Sequence, residues 1–81
     1  MGKTVAVQYF ALLREERGES RETLTTQASN VGELYDELRS QHGFSLPSSN
    51  MTVAINDNFS NWDTPITDKD TIVFIPPVAG G

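Results

Sequence analysis

Asn30-Val31-Gly32-Glu33-Leu34-Tyr35-Asp36-Glu37-Leu38-Arg39-Ser40-Gln41-His42-Gly43 carries the clearest helical period in this 81-residue chain. Val31, Leu34, Tyr35 and Leu38 fall three and four residues apart, so on a helix they share one apolar stripe. Asn30 stands where an N-cap is wanted, and Glu33, three residues on, completes a capping-box pattern. Gly43 is the residue type that leaves a helix through the left-handed conformation. The spacing predicts a helix over 31–42.

The segments on either side read differently. From Lys3 to Phe10, Val5, Val7 and Tyr9 alternate with Ala6, Gln8 and Phe10, the period of a strand. Ala11 to Glu16 reads as a short helical turn closed near Gly18. Glu22 to Thr26 reads as a second strand, with Leu24 its only large apolar residue, and Gly18-Glu19-Ser20 supplies the turn of a hairpin. Beyond the loop Ser45 to Asn50, Met51, Val53 and Ile55 share one face of a third strand, and Asn56-Asp57-Asn58 makes a tight turn. Phe59 to Ile66 holds a short strand or an irregular piece. Asp68-Lys69-Asp70 is another turn, and Thr71 to Ile75 is a last strand apolar enough for burial on both faces. One main helix on a mixed sheet of four or five strands is a two-layer α+β domain. The order of hairpin, helix and returning strands is that of a ubiquitin-like β-grasp.

The length allows one domain with a modest core, read as 1–75 followed by a flexible tail, 76–81. A deep catalytic cleft is not expected in so small a body. A net charge of −5 argues against nucleic acid, where affinity comes largely from neutralising phosphates, and favours a basic protein partner. Without cysteine there is no disulfide framework, thiolate metal site or cysteine nucleophile. No apolar run is long enough to span a bilayer and no signal-peptide core is visible, so a soluble cytoplasmic protein is expected. Met1-Gly2 lacks the Ser or Thr that myristoylation wants at Ala6. Two glycosylation patterns, at Asn50 and Asn58, have no secretory signal to make them relevant.

The end of the chain is where chemistry is expected. Val78-Ala79-Gly80-Gly81 follows the last strand and the pair Pro76-Pro77. Glycine has no Cβ and enters channels too narrow for other residues. The prolines fix φ and offer no N–H, which stops the strand and holds the exit extended. From Pro76 to Gly81 the reach is roughly 20 Å. The tail has no charged side chain from Ile75 onward, so insertion into a pocket would strip water from one charge only, the terminal carboxylate. A G-x-x-x-x-G-K-[ST] phosphate loop is also missing, so ATP would be held elsewhere.

Phe74-Ile75-Pro76-Pro77-Val78-Ala79-Gly80-Gly81 resembles the C-terminus of the small subunits of molybdopterin synthase. Phe10-Ala11-Leu12-Leu13-Arg14-Glu15 is similar to the segment after the first strand in that family. Ala54-Ile55-Asn56-Asp57 and Pro65-Ile66-Thr67-Asp68-Lys69-Asp70 resemble a further conserved region of it. The likeness spans nearly the whole chain and is weakest from Gly18 to Asn50. It implies a sulfur carrier whose terminal glycine, here Gly81, is adenylated by a partner related to ubiquitin-activating enzymes and becomes a thiocarboxylate. The tail of Val78, Ala79 and Gly80 then enters the large synthase subunit, where sulfur passes to a cyclic pyranopterin to build the molybdopterin dithiolene. The resemblance further implies a heterotetramer, a pterin site on the large subunit, and ATP used by the activating partner, with no cofactor or metal on this chain. It places Phe10, Arg14 and Ile75 at the partner interface. Ile75 stands where some relatives carry Phe, and Ala79 where others carry Thr or Ser.

The residues themselves leave alternatives open. Phe10 lies on the face opposite Val5, Val7 and Tyr9, and suits either a core contact or an interface anchor. Arg14 is by default a solvated helix charge. His42 suits a helix end and Trp62 a packing position under a loop. Asp57, Asp63, Asp68 and Asp70 lack the order of a calcium loop and read as turn formers. Three rivals remain: a carrier for another product, such as those of thiamine synthesis, a ubiquitin-like modifier of lysines, and a domain whose tail docks without reacting. Thiamine-type carriers are usually shorter and lack the two prolines.

Overall fold

The computed structural model describes residues 2–77. The sequence's alternation becomes a five-stranded mixed sheet in the order β2-β1-β5-β3-β4. Its strands are β1 (Lys3–Tyr9), β2 (Arg21–Thr26), β3 (Thr52–Ile55), β4 (Asn58–Ser60) and β5 (Thr71–Ile75). β1 and β5 lie parallel at the centre with Tyr9 opposite Phe74, and the other neighbours are antiparallel. Two helices, α1 (Ala11–Arg17) and α2 (Val31–His42), complete the regular structure, with one 3-10 turn at Ser48–Asn50.

α2 occupies the span its period predicted, and its buried residues are Val31, Leu34, Tyr35 and Leu38. These meet the inward residues of the sheet, Val5, Val7, Tyr9, Val53, Ile55, Ile72 and Phe74, in one core. The centre of that core is aromatic. Tyr35 packs on Phe74 with ring centroids 5.2 Å apart, and Trp62 stacks on the same Phe74 at 6.0 Å. Trp62 is thus a half-buried packing residue beneath its loop.

The capping box differs from its expected form. The Glu33 N–H donates to Asn30 Oδ1 at 2.8 Å, but the Glu33 carboxylate reaches one residue further back, to the Ser29 N–H. The helix start is also held by a neighbouring loop: the N–H groups of Val31 and Gly32 donate to the carbonyls of Thr64 and Trp62. That is why only Phe59 and Ser60 of the segment 59–66 pair as a strand, within β4 (Asn58–Ser60), since the chain beyond turns away to satisfy α2. β5 is buried on one face and half-covered on the other, so it falls short of burial on both. Among the described residues, no helix is long and apolar enough to cross a membrane.

Candidate functional site

Parity along two central strands decides where the site lies. Ile72 and Phe74 of β5 point inward, so Val73 and Ile75 point outward. Because Tyr9 and Phe74 are register partners, the next residues, Phe10 and Ile75, emerge together where both strands leave the sheet. Pro76 and Pro77 then follow and offer no N–H, which ends the ladder.

Phe10 is also the N-cap of α1, in extended conformation and without a side-chain capping bond. The next residue, Ala11, has φ +51°, a left-handed value that an alanine seldom adopts. The sharp turn sends Leu13 fully into the core and leaves Phe10 and Leu12 outside, 46% and 40% exposed. These two residues, Ile75, Pro76 and Pro77 border a groove of about 620 Å³, joined from across the fold by Leu46. Among the described residues that line it, the one charge is that of Glu15. Such a surface suits apolar side chains of a partner.

α1 is fixed beside this groove by a polar cluster at its far end. Arg17 donates to both Glu22 oxygens at 3.1 Å, and the Tyr9 hydroxyl donates to Glu22 Oε2. Arg17 holds the Glu22 carboxyl below its ordinary pKa, against the opposing effect of burial and with help from Tyr9. Burial, followed by the adjoining Glu22, pushes the Tyr9 hydroxyl well upward. His42 lies 3.7 Å from Glu22 and its ring rests near Phe44. Among the described residues no cluster of His, Asp or Glu has the spacing of a metal site.

The structure thus brings Phe10 and Ile75 together on one groove, with Phe10 on the outer side. Arg14 is exposed on α1 but does not line that groove. Val78, Ala79, Gly80 and Gly81 lie outside the described residues. Sequence reading missed Leu12 and Leu46. The adjacent pair Leu12-Leu13 was the available signal, because helix neighbours point roughly 100° apart and this seven-residue helix buries only Leu13, which leaves Leu12 at its rim. Leu46, in an irregular loop, carried no comparable signal.

The ThiS family model matches residues 7–81. The chain is 29% identical over 80 residues to the molybdopterin synthase sulfur carrier subunit of Escherichia coli, covering 95% of this chain and 99% of that one. Against the protein of the same description from Mycobacterium tuberculosis it is 34% identical, with coverage of 95% and 96%. Among solved structures, one from Helicobacter pylori is a complex of subunits 1 and 2 of molybdopterin-converting factor. It matches at 30% identity and TM-score 0.63, covering 96% of this chain and 99% of that chain. The small archaeal modifier protein 1 of H. volcanii matches at TM-score 0.81 with 21% identity, covering 95% and 100%, a likeness of fold alone. The chain belongs to the ThiS family and is a relative of the molybdopterin synthase sulfur carrier subunits.

Proposed function

We propose that this chain is the sulfur-carrying subunit of a molybdopterin synthase and that Gly81 bears the sulfur. The observation that carries this reading is the meeting of Phe10 and Ile75 beside Pro76-Pro77. A partner that grips the groove receives the tail directly next to its grip, with roughly 20 Å of chain to thread inward. In the division proposed here, residues 1–75 are the docking body and 76–81 the delivery arm.

Each step follows from the chemistry of a carboxyl group. A carboxylate is a poor electrophile, so one oxygen of Gly81 first attacks the α-phosphate of ATP on an activating enzyme and pyrophosphate leaves. Hydrosulfide, delivered by a sulfur donor, then displaces AMP from the acyl group and, on losing its proton, leaves a thiocarboxylate. With the tail inserted into a large subunit, counterpart of the second subunit in the Helicobacter pylori complex, the sulfur displaces an oxygen substituent from a carbon of a cyclic pyranopterin. Water cleaves the resulting thioester to free the Gly81 carboxylate, and two such transfers supply the two sulfurs of the dithiolene. Two such heterodimers pair into a heterotetramer, and the setting is the cytoplasm. This chain supplies docking surface and acyl group, while the ATP and pterin sites belong to its partners. Phe10 and Ile75 anchor the large subunit and Arg14 adds a charge contact at the rim.

The test is the intact mass of the chain purified from cells that contain its activating partner. Replacement of one oxygen by sulfur, mapped to Gly81 and lost on deleting Gly81, is the expected result. An unmodified mass despite an active partner overturns the reading. Isopeptide conjugates on many proteins would instead make the chain a ubiquitin-like modifier, and a thiocarboxylate that serves another acceptor would make it a carrier of a different pathway.

A further inference from the structure

We infer that Glu16 is a positioning residue of the partner-facing groove: its carboxylate clips Ser45 and thereby sets Leu46 as the groove's far wall. The inference rests on the proposed docking of a large subunit and adds to it a residue that does not touch the groove.

Leu46 reaches the groove from a loop 29 residues removed in sequence from the helix it faces, counted from Glu16 to Ser45. Three consecutive residues of that loop are held by three different side chains. Phe44 is buried, and its carbonyl accepts from Arg39 Nε at 3.1 Å. The Ser45 N–H donates to Glu16 Oε1 at 3.1 Å, and its hydroxyl to Glu16 Oε2 at 2.9 Å. The Leu46 carbonyl accepts from the Tyr35 hydroxyl at 2.5 Å. Arg39 and Tyr35 belong to α2, so their bonds tie the loop to the helix it has just left. Of these three fastenings, the Glu16 clip is the one that joins the loop to α1, whose first turn carries Leu12 and whose cap is Phe10. The direct side-chain bond between the Leu46 loop and the Phe10–Leu12 side of the groove is therefore this one carboxylate.

Both oxygens of Glu16 are engaged, so the carboxylate cannot be replaced by an amide without loss. Glutamine keeps one acceptor oxygen, and its NH2 group cannot accept from Ser45. The clip is solvent-exposed, so its removal is tolerable for the fold. Leu13 in the core and the Arg17–Glu22 pair still fasten α1. Neither Glu16 nor Ser45 lines the groove, so any effect on docking travels through Leu46.

The test is calorimetric titration of the full chain with its purified large subunit. Glu16→Gln and Ser45→Ala are each expected to weaken binding about three- to tenfold, with the melting temperature little changed. Ser45→Ala keeps the acidic charge and Ser45→Thr keeps the hydroxyl, so the first should lose affinity and the second retain it. In a Leu46→Ala background, Glu16→Gln should cost nothing further. Unchanged affinity in Glu16→Gln overturns the inference. So does a loss that persists without the Leu46 side chain, since Glu16 would then be a direct contact. Failure of the unsubstituted chain to bind overturns the functional reading itself, and the reference titration separates that outcome from the others.

Discussion

The two ends of β5 are built on opposite plans. At its start, Asp70 is only 7% exposed and its carboxylate accepts from the Thr67 N–H, the Thr67 hydroxyl and the Asn56 side-chain amide, at 2.8 to 2.9 Å. Asn56 returns an acceptor to the Thr71 N–H, while Lys69 and Asp68 exchange bonds with the backbone of Thr4. Nearly every polar group there is spent inside the fold. At its finish, the strand runs out into two prolines, and Phe10, Leu12 and Ile75 face outward around an apolar groove. Polar satisfaction fixes the first end for stability, whereas unsatisfied apolar surface leaves the second free to meet a partner. One strand therefore links a stability site to the proposed docking site.

The separation is tested most severely by Asp70→Ala. It leaves the Thr67 N–H and the Asn56 amide without their acceptor, at an expected cost of about 2–4 kcal/mol in chemical denaturation. Affinity for the large subunit, measured on the folded fraction, should stay within about twofold. A large affinity loss would show that the two ends are not independent. The same carboxyl supplies a pH test. Burial alone would raise its pKa, but the bonds from Thr67 and Asn56 outweigh burial and hold it below the ordinary value. A depressed folded pKa gives stability that is present above the unfolded value, about 3.9, and is lost as pH falls through the folded one. The chain should therefore weaken in acid below about pH 4. Asp70→Asn should flatten part of that slope and leave the part due to Glu22.

At the other end, Phe10→Ala and Ile75→Ala should do the reverse. Each is expected to weaken partner binding by about 1–2 kcal/mol, roughly tenfold, as an interface anchor does. Phe10 is nearly half exposed, so its loss should move the stability by less than about 1 kcal/mol. A melting temperature that drops as far as in Asp70→Ala would place Phe10 among the core residues and remove the contrast.

What could be read in advance follows a physical line. The limits of α2, the inward set Val5, Val7 and Tyr9, and the exits at Gly18 and Gly43 were legible because period and residue type report local geometry directly. Phe10 could be given a face by parity, but parity could not say whether another layer covered that face. β4 was blurred because Asn61 to Ile66 serves the start of α2 rather than the sheet, a tertiary demand invisible in the segment itself. Leu24 looked like the main apolar residue of its strand, yet on edge strand β2 it is half-buried and Thr26 is the buried one. The Thr26 hydroxyl donates to Glu37 and accepts from the Ala28 N–H. Leu46 was beyond reach, since its place depends on a bond between residues far apart in the chain.

The finest probe of the contrast is Ala11→Gly, where the docking end meets its own backbone. A left-handed alanine costs about 1–2 kcal/mol, and that strain sits in the residue joining Phe10 to Leu12. Glycine removes the strain but adds about 0.5–1 kcal/mol of chain entropy to the unfolded state, so the balance favours the folded glycine variant by about 0–1.5 kcal/mol. Denaturation should shift towards higher stability, by about 0–1.5 kcal/mol. Docking need not be neutral, because the alanine backbone has few alternatives and holds its two neighbours outward, whereas glycine allows others. Amide exchange at Leu12 and Leu13 should quicken, and affinity for the large subunit should fall about two- to threefold. If affinity rises together with stability, the strain at Ala11 is an incidental product of the turn, and the pose of Phe10 and Leu12 is set by packing alone.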